Sequence, residues 1–486
     1  MRSRTGLAAG MALLTSACAT PAHRAAPPVT MPAAFAAPAA SGPAGDLATW
    51  WRSFNDPVLD ALIVRALNDN PDVETAVSRL REARQQEIVA GARRLPQVQA
   101  DLNAGRTHIS KHAIAVPPGV GGQGGGGSPF GFSGTTFNQF KLGFDASWEL
   151  DLFCGARHGI EAARARSGAA LWSARDVRVS LSAEVASAYL ELRALQARQA
   201  IASAELTSQR EGLEIARARA RSGFTSEIDL DQQSALTDQA AAAVPALQAR
   251  ERVEIHALGV LTGQLPESLI AQLSPGANPP SPPAAPPPGL PSDLLRRRPD
   301  LRAAERQVAA TSADIGVATA DLYPKISLTT GPGLVSTSLS NLLDWSSRNY
   351  TLGAGLIWPL VEGGRLKAQI AQADERHVQA LAAYRKTVIG ALKDVEDALA
   401  RCDADRARSA ALGAAGASAA EARSLAFVQY RAGIVGYVNV LAAERARLAA
   451  DDQSVQARQA EAQDMVALYK ALGGGWSDTE RKVIEP

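Results

Sequence analysis

The chain has 486 residues, room for two or three compact domains or one large elongated one. It carries 50 Lys and Arg against 49 Asp and Glu, a formal net charge of +1, so no overall field gathers a polyanion. Aromatic residues are only 5 % of the chain, low for ordinary compact cores, and many segments are rich in helix-forming alanine and arginine with charges alternating in sign, as on solvated helix faces.

Residues 1–17 read as a secretory signal: Arg2 and Arg4, an apolar run from Gly6 to Leu14, then small residues. The small-residue run ending in Cys18 resembles a bacterial lipobox, with Thr15 where the usual leucine stands and Leu14 one place further back. That resemblance implies a covalent lipid on Cys18; the alternative is an ordinary cleavage site with a chance cysteine nearby. Ala19, not Asp, follows the cysteine, which by analogy favours the outer membrane. Residues 18–46 are rich in Ala and Pro, the composition of a flexible tether. No later segment reaches the roughly 18 uncharged apolar residues of a membrane helix, so a membrane-crossing chain would have to cross as strands. Cys154 and Cys402 lie far apart with no CxxC. Cys154 has His158 four residues on but no second pair, so neither a metal nor a disulfide is expected.

Order is expected from "WWRSFNDPVLDALIVRALNDNPDV" onward, where Val58, Leu59, Leu62, Ile63 and Leu67 recur at helical spacing behind Asp56-Pro57. Pro71-Asp72 opens a helical stretch that ends at Pro96, and Pro299-Asp300 opens one that ends at Pro324, a separation of 25 residues in each case. Three later landmarks recur at a fixed offset of 210: Trp148 and Trp358, "ARSG" ending at Gly223 and "YRAG" ending at Gly433, "ALGVLTG" ending at Gly263 and "ALYKALG" ending at Gly473. One offset held over three landmarks means an internal duplication. The first landmarks differ by 228, so the first copy holds an insertion of 18 residues, placed in the Gly-rich loop "VPPGVGGQGGGGSPFGFSG".

The first repeat, 47–270, is expected to hold strands at about 97–105 and 138–152 and long helices at about 156–221 and 226–261. The second, 299–473, holds strands at about 325–332 and 349–360 and helices at about 365–431 and 437–472. Neither first long helix contains proline, and about 66 residues at 1.5 Å each make a rod of roughly 100 Å that has to pack lengthwise on other rods. Val177, Leu181, Val185, Ala188, Leu192 and Leu195 give it a coiled-coil-like seam. Pro245 is expected to kink or interrupt the first return helix. The strands alternate. Val98, Ala100 and Leu102, then Leu142, Phe144, Ala146, Trp148, Leu150 and Leu152, then Ile326 and Leu328, then Tyr350, Leu352, Ala354, Leu356, Trp358 and Leu360 share apolar faces. That is the pattern of an outer-membrane barrel strand, and equally of a half-buried sheet in a soluble sandwich. The secretory signal and a count of four strands, too few to close a barrel alone, favour several chains pooling strands. Residues 271–298 are a Pro-rich linker between the repeats, and 474–486 form a C-terminal tail.

"LPSDLLRRRPDLRAAER" (Leu290 to Arg306), "DLYPKISLT" (Asp321 to Thr329), "GGR" at Gly363 to Arg365 and "YRAG" at Tyr430 to Gly433 resemble the TolC/OprM-type outer membrane factors, in particular the NodT-like lipoprotein branch, over nearly the whole chain after the tether. The resemblance implies a mainly α fold with β. Three identical chains share one twelve-stranded outer-membrane β-barrel, continued by a long periplasmic α-helical barrel. An equatorial belt forms from the inter-repeat and terminal segments, 271–298 and 474–486. It further implies the exit duct of a tripartite efflux or secretion pump. The implied partners are a periplasmic adaptor (membrane fusion protein), an inner-membrane transporter of the RND type and outer-membrane lipid. With the net charge and no interleaved aromatics, the Arg296–Arg298 run is read as solvated or ion-paired structure and nucleic acid is excluded. No catalytic or metal constellation is found: the six histidines form no HExxH, the run Gly119 to Gly127 lacks a following Lys-Ser/Thr, and no cofactor is expected beyond the lipid at Cys18.

The two helix-to-helix turns are the expected functional site, a periplasmic gate. At the 210 offset Ile228, Asp229 and Asp231 lie opposite Val438, Asn439 and Leu441, with Tyr437 opening the second helix. By resemblance Val438 takes the place of the apolar ring residue of OprM-type channels, while Ala442 stands where an acidic ring residue is usual. The acidic role then passes to Asp229 or Asp231, or those acids simply complement the helix N-terminus that they open. The alternative of another class is a non-channel periplasmic structural or adaptor protein with long helical hairpins. The discriminating feature is the pair of amphipathic strands in both halves, which an adaptor lacks.

Overall fold

The computed structural model describes residues 31–36, 46–108, 110, 136–223 and 226–477. The signal segment, Cys18, the Gly-rich run from Gly119 to Gly127 and the end of the C-terminal tail lie outside them. The main elements are, in order, α1 Pro57–Asp69, α2 Pro71–Ala92, β1 Gln97–His108, β2 Thr136–Leu150, α3 Gly155–Arg221, α4 Glu227–Leu261, α5 Pro299–Ala320, β3 Lys325–Thr330, β4 Gly333–Ser336, β5 Arg348–Asn349, β6 Leu352–Ile357, α6 Arg365–Arg431 and α7 Tyr437–Ala471.

The duplication holds element by element. The helices α3 and α6 are both 67 residues, α4 and α7 both 35, and α2 and α5 both 22. Each long pair is shifted by 210 at both ends, from 155 to 365 and from 221 to 431, for example. Local chemistry sets these ends. Asp56 accepts hydrogen bonds from the Val58 and Leu59 amides at the start of α1, with Pro57 in the first turn where its missing N–H costs nothing. Gly223, Gly263, Gly433 and Gly473 follow the helix ends at φ 77, 71, 74 and 77, the left-handed conformation that closes a helix C-terminus. Pro245 does not interrupt α4, which is continuous from Glu227 to Leu261.

The chain divides into two compact units. One is built on Arg84–Arg166 and Val308–Gln379 and contains the sheet. All its pairings are antiparallel, β1 with β2, β2 with β3 and β4, β3 with β6, and β4 with β5. The second repeat differs from expectation here. Its two strands are each broken in two, at Gly331-Pro332 and at Tyr350-Thr351, because Pro332 has no N–H to give to the ladder. The gap is stitched by backbone bonds in both directions between Gly331 and Thr351, at 2.9 and 3.3 Å. The result is an up-and-down sheet of four strands in chain order. Where β2 meets β4, Gly143 faces Gly333, and a Cβ on Gly143 would lie 3.0 Å from the Pro332 carbonyl oxygen.

The other unit, on Ala26–Ala83, Ser167–Gln307 and Ala380–Pro486, has its own core. Trp50, Leu59 and Ile63 pack with Tyr189 and Leu192 of α3, Leu258 of α4, Val388 and Val395 of α6, and Met465 and Leu468 of α7. Trp50 stacks on Tyr469 with centroids 5.2 Å apart. Burial of these side chains stabilises by about 1.5–3 kcal/mol each. Threaded through the core is a polar chain. Tyr189 donates to Asp56 at 2.6 Å, Arg193 donates to the Tyr189 oxygen at 3.1 Å, and Arg193 also reaches Gln196 and the Pro275 carbonyl. Burial and the Asp56 carboxylate push the Tyr189 hydroxyl up to about 12.

Candidate functional site: the strand face and the hairpin turns

The strand register decides what each sheet face can meet. Leu102 pairs with Leu142, Ala100 with Phe144, Trp148 with Leu328 and on to Ala354, Leu150 with Ile326 and on to Leu356. One face is therefore apolar through these rows; beyond them it carries Arg106 with Asn138, His108 with Thr136, and Arg348 of β5 beside Leu334. No described part of the chain covers it: Leu102 is 75 % exposed and Leu352 82 %. A monomeric soluble protein rarely shows so wide an apolar face. The outer edges of β1 and of β5 and β6 carry no ladder partner among the described residues. Two equivalent indoles mark one end of the face. Trp148 donates to the Arg94 carbonyl at 2.9 Å and Trp358 to the Leu322 carbonyl at 3.1 Å, while Phe153 stacks on Tyr323 at 4.8 Å. Aromatic rings with one polar tether are what an apolar band bordered by water selects.

The opposite face is polar. In the first repeat it carries Gln97, Gln99, Asp101, Lys141, Asp145, Ser147 and Glu149; in the second, Ser327, Thr329, Gly353 and Gly355. Lys141 bridges Asp101 at 2.9 Å and Asp145 at 3.2 Å. At the helix side of this face Gln97, Ser147, Glu149 and Lys325 border a cavity of about 700 Å³ that α2, α3 and α5 complete. Lys325 is committed there to Asp321 at 2.9 Å and Arg166 to Asp314.

The turn residues sit on the first turns of α4 and α7. Ile228 and Val438 are 68 % and 70 % exposed, and Asp229, Asp231, Asn439 and Ala442 are exposed as well. Asp229 has a structural task. Ser226 accepts from the Asp229 amide, and the Asp229 carboxylate accepts from the Ser226 amide and hydroxyl, a complete capping box. Asp231 makes no such bond. At the second turn the N-cap is Gly436, which has no side chain to cap with, and Asn439 reaches only the Gly436 carbonyl, at 3.4 Å. Tyr437 is half-buried against Tyr430, centroids 5.2 Å apart; burial, then the nearby Glu211 charge, push its hydroxyl upward. The two hairpins touch close behind their turns, where a Cβ on Gly212 would meet Leu441 Cδ1 at 2.9 Å and Gln233 Nε2 at 3.1 Å. No hydrogen bond or ion pair among the described residues joins the acids of the first turn to the second.

Sequence reasoning missed the polar ties along the hairpins. Arg198 of α3 pairs with Asp452 of α7 at 2.7 Å, and Glu191 accepts from Arg250, Gln459 and Gln463. Glu444 lies between Arg423 and Arg447; burial opposes its charge, but the hydrogen bonds from both arginines outweigh it and hold the carboxyl below its usual range. The i,i+3 and i,i+4 partners were readable in principle, the interhelical ones were not. Of the arginine run, Arg298 is ion-paired structure, joining Asp300 at 2.8 Å and Asp394 at 3.1 Å. Cys154 corrects the expectation drawn from its isolation: it is disulfide-bonded, and it sits at φ 61. Cys402 is free and buried, and burial pushes its thiol up to about 12. Among the described residues no helix is long and apolar enough to cross a membrane, and no group of three or more His, Cys, Asp and Glu could hold a metal ion.

Two copies of a long helical hairpin, each attached to strands whose apolar face and edges are open, define a TolC-like outer-membrane channel protein. The sequence matches the family described as "Outer membrane efflux protein" over residues 62–264 and 290–474. It is 34 % identical over 473 residues to the pyoverdine export outer membrane protein OpmQ of Pseudomonas putida, covering 96 % of both chains. It is 30 % identical over 479 residues to nodulation protein T of Rhizobium leguminosarum, covering 97 % of this chain and 93 % of that one. The structure of the outer-membrane channel OprN is similar with a TM-score of 0.80 and 33 % identity, over 93 % of this chain and 99 % of that one. The chain belongs to the outer membrane efflux protein family. It is an outer-membrane exit duct of an efflux pump, located in the outer membrane and extending into the periplasm. The adaptor alternative falls with that assignment.

Proposed function

We propose that three copies of this chain pool their strands into one twelve-stranded barrel and their hairpins into one helical tube. The observation that carries this reading is the sheet itself: four strands, too few to close, with an uncovered apolar face and edges that lack partners among the described residues. In this reading the apolar face meets lipid, the polar face lines the duct, and the duct is a passive conduit to which no reaction is assigned. A periplasmic adaptor and an inner-membrane transporter of the RND type complete the pump, as resemblance to the family suggests. The hairpin turns form the gate: Ile228, Asp229, Asp231, Tyr437, Val438, Asn439 and Ala442 gather near the threefold axis, and contact with the adaptor opens them.

Native mass spectrometry of the detergent-extracted protein should give three copies; a stable monomer that keeps its full β-sheet signal overturns the reading. In planar bilayers Val438→Gly should raise single-channel conductance, and Asp229→Asn with Asp231→Asn should lower cation preference. If the triple variant matches wild type in both, the constriction lies elsewhere and the acids are helix caps only. The anchor proposed at Cys18 has its own readout. Intact mass of the mature chain should show added acyl mass that Cys18→Ser abolishes; a mature chain without it refutes the anchor.

A further inference from the structure

The polar face of the sheet is not evenly charged. Its register collects Asp101 of β1 with Lys141, Asp145 and Glu149 of β2, three carboxylates against one ammonium, all in the first repeat. The second repeat supplies Ser327, Thr329, Gly353 and Gly355 at the corresponding rows, and its one charge there, Lys325, is neutralised by Asp321 at 2.9 Å. Lys141 lies between Asp101 and Asp145 at 2.9 and 3.2 Å, so one lysine serves two acids and their site keeps a negative excess. Gly143 stands directly opposite Asp101 and contributes no side chain to this cluster. Glu149 is exposed and makes no ion pair within 4 Å among the described residues, and the nearby Lys325, already paired with Asp321, feels its charge as well.

We propose that Asp101, Lys141, Asp145 and Glu149 make the strand part of the duct prefer cations over anions. This rests on the exit-duct reading, in which the polar face lines the pore. The mechanism is a potential along the wall, with no bound ion. Like charges on a water-filled surface backed by low-dielectric wall raise the local counter-ion concentration and deplete co-ions. In a shared barrel the charged face of each first repeat would alternate with the neutral face of each second repeat. Three separate negative stripes would then run along the wall, distinct in position from the acids at the hairpin turns.

The test uses full-length protein in planar bilayers under a KCl gradient, in wild-type and Val438→Gly backgrounds so that a narrow turn region does not limit the current, with Asp229 and Asp231 left intact. Lys141→Gln and the pair Asp101→Asn with Asp145→Asn both delete the same ion pairs. A merely structural role moves selectivity the same way in both. The wall potential moves it in opposite directions: Lys141→Gln should raise the cation-to-anion permeability ratio, and the double Asn variant should lower it by at least about twofold. Glu149→Gln breaks no bond and should lower the ratio on its own. Each effect should shrink as salt rises and screening shortens the reach of the charges. A pore whose permeability ratio is unchanged in Glu149→Gln and shifts the same way in the other two variants overturns the inference while leaving the duct reading intact. Wild-type and Val438→Gly proteins that both form no ion-conducting pore overturn the duct reading, and this inference with it.

Discussion

Asn70 in the first repeat and Arg298 in the second stand at equivalent places, each directly before the proline that opens a short helix, and they do one job with different chemistry. The Asn70 amide donates to the Leu261 carbonyl at 2.9 Å, and the Arg298 guanidinium donates to the Ala471 carbonyl at 3.2 Å. Both close the last turn of a return helix, whose final carbonyls have no partner inside the helix. The side chains differ because their other duties differ. Asn70 also caps α2 by accepting from the Asp72 and Val73 amides, whereas Arg298 reaches Asp300 and Asp394. A similar exchange occurs before the long helices, where Cys154 at φ 61 takes the left-handed place that Gly364 fills at φ 86 in the second repeat. The comparison teaches that the duplication preserved backbone geometry and connection points, while the side chains that serve them drifted.

That conclusion is most exposed at the glycines that end the helices. Gly263 and Gly473 close the return helices, and both pack against the segment two residues before a helix-opening proline. A Cβ on Gly263 would lie 2.2 Å from the Asp69 carbonyl oxygen, and one on Gly473 would lie 3.1 Å from the Arg297 carbonyl. Gly223 and Gly433, at the hairpin turns, have open space around them. Gly263→Ala should therefore cost about 3 kcal/mol from strain and clash together, and Gly473→Ala about 2 kcal/mol. Gly223→Ala and Gly433→Ala should cost only the left-handed strain, about 1 kcal/mol each. Thermal unfolding followed by circular dichroism in detergent gives the ranking. If the ranking follows the repeat, with 223 like 263 and 433 like 473, then position along the hairpin is not what governs these sites.

The architecture was legible in the sequence because it rests on signals that repeat. The 210 offset, the proline openings and the absence of proline in the first long helices located the long elements, since helix periodicity and end chemistry are local. What the sequence did not reveal is non-local. The break of the second repeat's strands follows from Pro332, but the bonds between Gly331 and Thr351 that stitch the gap are set by a neighbouring strand; α4 runs on through Pro245 although that residue gives up one backbone bond. At the turns the residues were readable but their duties were not. Asp229 read equally as a gate acid and as a cap, and the structure gives it a capping box, which leaves Asp231 the less committed of the two. Lys141 was visible only as a residue on the polar side of a strand. Its two partners required the register.

A second test asks whether the repeats share electrostatics as well as geometry. Position 254 in α4 and its equivalent 464 in α7 both carry acids, and burial raises both; Glu191 adds to the effect at Glu254. Asp464 is pushed up to about 6 by burial and by the facing carboxyl of Asp405 on α6, with Arg401 opposing, and its Oδ2 has no hydrogen-bond partner. An acid raised in the folded state holds a proton that the unfolded chain, near its ordinary value of about 3.9, has already released. Stability is therefore lost as pH rises from about 4 through about 6, and stays lost above that. Asp464→Asn should remove this dependence, so its melting temperature should exceed wild type at pH 7.5 and converge with it near pH 4. A constant gap across that range would show that the Asp464 proton is not linked to folding. Glu254→Gln should show the same sign with a smaller gap, because Asp405 raises Asp464 through a hydrogen bond as well as by charge, whereas Glu191 acts on Glu254 by charge alone.

The smallest expected effect lies at the hairpin turns, and it bears on whether the two turns are built to differ. Ser226 and Asp229 cap the first with reciprocal bonds at 3.2 and 3.3 Å, while Gly436, at φ −76 and ψ 158, leaves the second without a side-chain cap. That backbone is one that serine adopts without strain. Ser226→Ala should cost about 1 kcal/mol, and Gly436→Ser should gain a few tenths, about 0.3 kcal/mol, by giving the amides of α7 an acceptor. Hydrogen exchange of the first-turn amides is the sensitive measurement, since loss or gain of a cap changes local opening before it changes global unfolding. The first turn should exchange faster in Ser226→Ala and the second slower in Gly436→Ser. If wild type already shows equal protection at both turns, packing around Tyr437 replaces the missing cap. The second turn would then be as firmly closed as the first, and the asymmetry between the repeats at this end would be one of sequence alone.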